Sequence, residues 1–337
     1  MSIIGEPQDL GIGWRLWLKE VRATIVARRQ VVFAFAAAGL VILVGQILHP
    51  GFASAGSIKA ILTIASFVGV ASIGQTMVFL VAGIDLSIPW VMGGSAILLI
   101  AVSAGQNTRL WFAIPLTLAG GLVVGCVNGA GVAFLGISPV VITLGMNGII
   151  EGLGLGLTNG LTCNACGDQS PSVLRNVTTG HLSWMPTEVL IWIGVSALVV
   201  ALLSKTTFGR RVYAIGNNVT AARLAGINVR MVTVAVYALS SCFAAVAGIL
   251  LVGYDSKVSL GMGTPYLFLT IAAAVVGGTS IMGGRGSYLG TAAGAITLTA
   301  LVSLLEAERL PTFAQDILYG VSILAIVFLY GREHRVT

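Results

Sequence analysis

The most closely spaced reactive side chains in this sequence are the thiols of Cys163 and Cys166, which are separated by two residues in a polar stretch. A zinc site would need two further ligands, and only Asp168 and His181 lie near in the sequence. In an oxidising compartment the two thiols could form a disulfide across a tight loop, or they could stay free. Both interpretations of the pair remain open, and we expect no metal site.

Enzyme motifs are absent from the sequence. No lysine follows a glycine, so the phosphate-binding loop G-x-x-x-x-G-K-[ST] is missing. The three histidines, His49, His181 and His334, are far apart, and there is no H-E-x-x-H motif. We therefore expect a chain with no catalytic residues and no cofactor of its own.

Polar side chains inside apolar runs are costly, so their positions carry information. Asp85 lies in the sequence GIDLS at 83–87, and Pro89 follows two residues later. Broken backbone at membrane depth is tolerated only against protein or a water-filled cavity. We predict that Asp85 occupies a buried turn, and that Gln75 and Asn128 form hydrogen bonds between helices.

A second polar set follows one helix face, because Thr143, Asn147 and Glu151 are spaced four residues apart. Such a stripe would be expensive against lipid, so it should face a pore or a buried partner. The three residues are therefore candidates for lining a translocation path. A buried structural hydrogen-bond network is the alternative.

The composition excludes a soluble enzyme, a disordered chain and a β-barrel. The 337 residues are 56% hydrophobic and 9% charged, with a mean hydropathy of +0.97, whereas soluble chains carry about 25% charged residues. The net charge of +6 does not indicate nucleic-acid binding, because the basic residues flank apolar runs. We predict an all-α, polytopic membrane protein.

About ten runs are long and apolar enough to be membrane spans. They lie at 31–49, 58–82, 89–104, 110–134, 139–158, 188–204, 231–254, 265–282, 288–304 and 313–331. Glycines recur every four residues at Gly121, Gly125 and Gly129 and again at Gly286, Gly290 and Gly294. Such stripes predict close helix packing.

The distribution of Lys and Arg predicts the orientation. With the N-terminus in the cytoplasm, thirteen of these residues fall inside and five outside, and an even number of spans keeps the tail at 332–337 inside. Residues 31–331 then form one transmembrane domain, with an outer loop at 159–187 and an inner loop at 205–230. The leader at 1–30 is predicted to be an amphipathic helix on the membrane surface, or else a partly ordered basic segment.

Four stretches give the chain a family resemblance. Residues 213–230, YAIGNNVTAARLAGINVR, resemble the cytoplasmic loop of ribose-type permeases, the membrane subunits of bacterial ABC sugar importers. GIDLS at 83–87, TNG at 158–160 and AAVVGGTSIMGGRG at 273–286 are also similar to this family. The resemblance extends from about residue 58 to the end.

The resemblance implies a permease dimer in the cell inner membrane, two cytoplasmic ATPase subunits that carry ATP and Mg, and a periplasmic solute-binding protein. It also implies that the inner loop holds a coupling helix that docks on the ATPase. The residues assigned to this contact are Asn217, Asn218, Ala221, Ala222, Arg223, Ala225 and Gly226. The small alanines would permit close docking and Arg223 could pair with acids, whereas a solvated loop near anionic lipid is the alternative.

The function we expect is translocation of a monosaccharide or similar small polar solute, with ATP hydrolysed by the partner subunit. One alternative is a proton-coupled secondary transporter that uses Asp85 or Glu151 as a relay. Another is the same type of importer with amino acids or nucleosides as cargo.

Overall fold

The computed structural model describes residues 30–158, 160, 169–308, 317, 320 and 321. The leader up to residue 29, the Cys163–Cys166 pair and the tail lie outside the described residues. So does almost all of the last expected span at 313–331.

Within the described ranges the chain is helical apart from one two-stranded hairpin, which confirms the all-α, polytopic class. The hairpin pairs β1 (His181–Leu182) with β2 (Met185–Pro186) in antiparallel register. The helices are α1 (Gln30–Leu48), α2 (Ala55–Leu80), α3 (Ile88–Ser103), α4 (Leu110–Leu135), α5 (Pro139–Leu157), α6 (Ser172–Thr178), α7 (Thr187–Lys205), α8 (Thr207–Asn217), α9 (Val219–Leu224), α10 (Val229–Asp255), α11 (Tyr266–Val276) and α12 (Tyr288–Ala307).

Seven helices in the described part of the chain are long and apolar enough to cross a membrane, namely α1, α2, α4, α5, α7, α10 and α12. Two further expected spans are shorter helices: α3 has 16 residues and α11 has 11. A straight span needs about 20 residues, so neither crosses a bilayer by its helix alone. The span count of ten and the cytoplasmic termini remain predictions.

The predicted span at 265–282 is helical only as far as Val276, where α11 ends, and a turn segment follows. Gly278, Gly283, Gly284 and Gly286 all have positive φ angles, which a helix cannot contain. The sequence there is apolar enough for a span, but its glycines adopt turn conformations.

Glycines determine how closely the helices pack, as the four-residue stripes predicted. A Cβ atom on Gly125 would collide with the backbone of Tyr237 and Ala238 in α10. In the same way, a Cβ atom on Gly294 would collide with the Ala273 carbonyl in α11. Helices α2 and α10 form the centre of the bundle, and much of α1, α4, α5 and α7 is exposed.

The described loops lie at two ends of the bundle. At the end expected to be cytoplasmic, here called the inner end, the Gly284 amide donates to the Leu80 carbonyl at 3.0 Å. At the opposite, outer end, Asn107 Nδ2 lies 2.8 Å from Ser172 Oγ, and the Ser170 amide donates to the Ser256 carbonyl at 2.9 Å. This sorting is the one that the predicted orientation requires.

Candidate coupling and translocation sites

Helix α8 is amphipathic, and its apolar face lies against the inner end of the bundle. Thr206 caps its N-terminus by accepting from the Gly209 amide at 3.2 Å, and Val212 and Ile215 are buried. A Cβ atom on Gly216 would collide with the Leu80 carbonyl, so the backbones of α8 and α2 touch there. Only glycine permits this approach.

A tyrosine ties α8 to the turn that follows α11. The Tyr213 hydroxyl donates to the Gly286 carbonyl at 2.9 Å. Burial raises the pKa of the Tyr213 phenol above its ordinary value. The phenol therefore keeps its proton at neutral pH and remains a hydrogen-bond donor, which favours a fixed position for α8 against this turn.

Helix α9 presents the residues that the sequence assigned to coupling. Asn218 caps it by accepting from the Ala221 amide at 2.9 Å, and the Asn217 side chain donates to the Tyr213 carbonyl at 3.0 Å. The exposed residues on and beside α9 are Asn217, Asn218, Val219, Thr220, Ala221, Arg223, Leu224, Ala225 and Gly226. Leu224, which the sequence analysis did not assign, is 85% exposed.

Ala222 is the exception among the assigned coupling residues. It is 3% exposed and packs with the central apolar cluster of the bundle. Its side chain therefore faces the permease and cannot contact a docked partner. The period of α9 explains the difference, because Ala221 and Ala225 share one face of the helix and Ala222 points about 100° away from Ala221.

The inner end is strongly basic over its described residues. It carries Lys205, Arg210, Arg211, Arg223, Arg230 and Arg285. The described loops there, at 136–138, 205–228 and 277–287, contain no Asp or Glu. Such a surface attracts acidic side chains of a partner and the anionic lipids of the inner leaflet.

An open cavity of about 400 Å³ lies between α9 and the inner ends of α4 and α10. Arg223, Val219 and Gly83 contribute to its wall, and so do Phe134 and Arg230. The Arg230 guanidinium lies 5.7 Å from the centre of the Phe134 ring, a cation–π contact that holds the charge at the cavity wall.

Asp85 lies at a buried turn, as the sequence predicted. Its Oδ1 accepts from the Ser87 amide at 3.0 Å and from Ser87 Oγ at 2.6 Å, and its Oδ2 accepts from Ser240 Oγ at 2.7 Å. Residue Asp85 is fully buried. Ser240 lies eleven residues into α10, roughly 16 Å from the inner end of that helix. The chain therefore turns back into the bundle after α2.

Other polar residues extend this arrangement. Asn128 Nδ2 donates to Ser87 Oγ at 3.0 Å, which confirms that Asn128 bonds between elements. The Tyr237 hydroxyl donates to the Ile84 carbonyl at 3.3 Å. Gln75 is fully buried but does not join the set, because neither polar atom of its side chain has a hydrogen-bond partner among the described residues.

Sequence reasoning missed Ser240 and Tyr237. Both lie inside the long apolar run of α10, where single polar residues are common and give no sign of their partner. Only the packing of α10 against the turn at 81–87 brings them to Asp85 and Ile84.

The polar stripe of α5 is split between the core and the surface. Thr143 is buried and accepts from the Leu86 amide at 3.0 Å, so it serves the buried network and does not lie on the exposed face. Asn147 and Glu151 are partly exposed, and Asn147 Oδ1 has no hydrogen-bond partner among the described residues. A spacing of four residues drifts by about 40° per step around a helix, which turns the stripe outward toward Glu151.

The neighbouring face of α5 is open. Cβ atoms on Gly145, Gly148 and Gly152 would meet nothing within 4 Å, and Ile149 is 57% exposed. Apart from α3 and α4, no described element packs extensively against α5. This face of α5 therefore combines open glycines with exposed large apolar side chains, and Glu151 lies toward its edge, whereas Asn147 lies nearer the side packed on α3.

The family model and the similar proteins are all permease components of transport systems. Residues 57–327 match the family model described as "Branched-chain amino acid transport system / permease component". The chain is 30% identical to the ribose import permease protein of Haemophilus influenzae, over 87% of this chain and 91% of the relative. It is 32% identical to the autoinducer 2 import system permease protein of Shigella flexneri, over 91% and 88% respectively.

A third relative is the fructose import permease protein of Bifidobacterium longum, with 34% identity over 71% of this chain and 69% of the relative. No solved structure matches the chain significantly. The comparisons confirm the resemblance to sugar importer permeases that the sequence indicated.

Proposed function

This chain belongs to the family of permease components of branched-chain amino acid transport systems, and from that premise we propose its role in an ATP-driven importer. It is a multi-pass protein of the inner membrane. In the proposed importer it forms the passage for a monosaccharide or similar small polar solute. The exposed surface of α9 beside the well-anchored α8 is the observation that carries the proposal.

The energy source is a separate ATPase that holds ATP and Mg and docks at the inner end. Three features support this assignment: the missing phosphate loop, the basic inner surface, and the exposure of Leu224 and Arg223 on α9. An exposed apolar side chain next to Arg223, on a basic surface, fits a groove with an apolar floor and acidic rims.

The passage itself lies along α5, between two copies of the chain or between the chain and a related permease. The open glycine face would allow a second helix to approach closely, and Glu151 would then border the contact, with Asn147 one turn away along α5. Their amide and carboxylate groups offer hydrogen bonds of the kind that sugar hydroxyls need. A periplasmic binding protein delivers the solute and performs most of the selection.

The cargo is a sugar rather than an amino acid. The names of three similar permeases include ribose, autoinducer 2 and fructose, whereas the family description refers to branched-chain amino acids. A branched-chain amino acid would favour an apolar lining, and the polar residues at the edge of α5 favour a polyol.

Reconstitution tests this proposal. The chain, an ATPase and a binding protein encoded beside it would be placed in liposomes and supplied with radiolabelled ribose, fructose or leucine. We expect sugar uptake that requires ATP and both partners, and no uptake of leucine. Sugar uptake by the chain alone, driven by a pH gradient, would instead establish the proton-coupled transporter.

A further inference from the structure

The segment between α2 and α3, residues 81–87, is here called the α2–α3 link. At its start it bears directly on α8 and on the turn after α11. The Gly284 amide donates to the Leu80 carbonyl at 3.0 Å, just before the link. A Cβ atom on Gly283 would lie 3.0 Å from both the Ala82 Cβ atom and the Gly216 carbonyl. Any displacement of α8 along the bundle axis therefore pushes on this segment.

At its other end the link is bonded to the helices that surround it. The Leu86 amide donates to Thr143 Oγ1 in α5 at 3.0 Å, and Ser87 Oγ accepts from Asn128 in α4 at 3.0 Å. Asp85 then fixes the middle of the link to α10 through Ser240 at 2.7 Å. The link thus holds hydrogen bonds to three helices within three consecutive residues.

Helices α8 and α5 do not pack extensively on each other within the described residues. The main packing partners of α8 are α2, α7, α9 and α10, whereas those of α5 are α3 and α4. The two groups meet directly where α10 packs on α3 and α4, and the α2–α3 link adds hydrogen bonds that run from this contact to α5. The backbone of the link is short and non-helical, and Ala82 has a φ of 59°. Hydrogen bonds at Asp85, Leu86 and Ser87 hold it as one stiff piece.

We propose that the α2–α3 link is the positioning element that transmits movement of α8 to α5. The hydrogen bond between Asp85 and Ser240 anchors the link to α10 and is here called the pivot. The hydrogen bond between Leu86 and Thr143 attaches the link to α5 and is here called the grip. The inference rests on the proposed function, since it assumes that an ATPase moves α8 and that α5 borders the passage. The inference names the residues that connect the movement of α8 to the movement of α5.

Two pairs of variants test the link in the complete importer. Ser240→Ala removes the pivot, and Ser241→Ala is its matched control, because Ser241 is equally buried in α10 and its hydroxyl has no partner among the described residues. Thr143→Val removes the grip. Its control is Thr158→Val, since the Thr158 hydroxyl bonds only within its own helix, to Gly154 at 2.8 Å and Leu155 at 3.5 Å.

The measured quantity is the amount of sugar taken up per ATP hydrolysed, with the labelled sugar that the wild-type importer transports. Ser240→Ala and Thr143→Val should lower this ratio about tenfold, the usual scale for one lost buried hydrogen bond. Complex assembly should remain unchanged. Thr143→Ser keeps the hydroxyl and should restore the ratio, which separates a lost hydrogen bond from a misfolded chain.

Hydrogen exchange then shows which of the two helices, α8 or α5, still responds to ATP in each variant. On addition of ATP to the complex, the wild type should show altered exchange in both 207–217 and 139–147. Thr143→Val should keep the change in α8 and lose it in α5. Equal ratios in all four variants, or loss of the α8 response as well, would overturn the inference. If ATP changed neither sugar uptake nor hydrogen exchange in the wild-type importer, the proposed function would be refuted, whatever the variants do.

Discussion

At the residue scale, the proposed function depends most directly on Leu224 in α9 and on Glu151 in α5. Leu224 is exposed at the inner end without a covering contact, while Ala222 beside it is buried. Glu151 is a partly exposed carboxylate on a membrane helix. Both positions are costly to maintain in an isolated chain, because apolar and charged groups each lie in the less favourable medium. A partner or a polar passage removes that cost.

Replacing Leu224 by glutamate should weaken association of the ATPase about tenfold, the effect typical of a central apolar contact. The chain should still insert and fold, because the side chain touches little of its own protein. Co-purification of the ATPase with tagged permease measures the effect. Leu182→Glu is the matched control, since Leu182 is 70% exposed at the outer end. Normal ATPase binding in Leu224→Glu would remove α9 from the docking surface.

Glu151→Gln keeps the shape of the side chain and removes its charge. If the residue borders the passage, uptake should change severalfold in KM or in maximal rate while thermal stability in detergent stays the same. The passage is polar, so a lost carboxylate alters its contacts with the solute. Unchanged uptake together with a lower melting temperature would instead assign Glu151 to a structural hydrogen-bond network.

At the element scale, several pairs of helices approach one another most closely at glycines. Helix α4 lies on α10 along Gly121, Gly125 and Gly129, and α12 lies on the end of α11 along Gly290 and Gly294. These contacts bring backbone against backbone, so they tolerate no added atom. The open glycines of α5 differ, because an added Cβ atom there meets nothing within 4 Å among the described residues.

Gly125→Ala should therefore destabilise the chain by roughly 1–3 kcal/mol, the cost of forcing an extra carbon into a packed helix interface. Gly194→Ala in α7 is the control, because a Cβ atom there meets nothing within 4 Å. Alanine at that position should be neutral or stabilise the helix by up to about 1 kcal/mol. Thermal unfolding of the purified protein distinguishes the two; equal melting temperatures would contradict the close α4–α10 contact.

At the scale of the whole molecule, the described loops fall into an inner and an outer group. The inner group holds the basic surface, α8, α9 and the entrance to the α2–α3 link. The outer group holds α6, the β1–β2 hairpin and the turn near Ser256. In the proposed importer, the inner group would receive the energy input and the outer group would admit the solute.

A cysteine at position 218 should be labelled by a membrane-impermeant maleimide only when the reagent reaches the cytoplasmic side. The charge bias of the loops is the physical reason. Asn218→Cys would be made in a chain whose native cysteines are replaced, with Leu182→Cys as the outer-side control. Labelling of position 218 in intact cells would invert the topology and with it the mechanism.

The sequence by itself determined the class, the family, most helices and the location of Asp85 in a broken turn. These follow from local quantities: apolar run length, charge at run ends, and motifs that are contiguous in the chain. It did not determine the end of α11, since glycine-rich apolar sequence is equally compatible with a helix and with a turn.

The tertiary structure decided which side chains meet. Thr143 and Glu151 share a sequence stripe, yet packing against the link buries the first and leaves the second at the edge of an open face. Ser240 reaches Asp85 across 155 positions of sequence. Ala222 and Leu224 lie two residues apart, but Ala222 faces the core of the protein and Leu224 faces outward. Such outcomes depend on how neighbouring helices are rotated about their axes, and no single helix encodes that rotation.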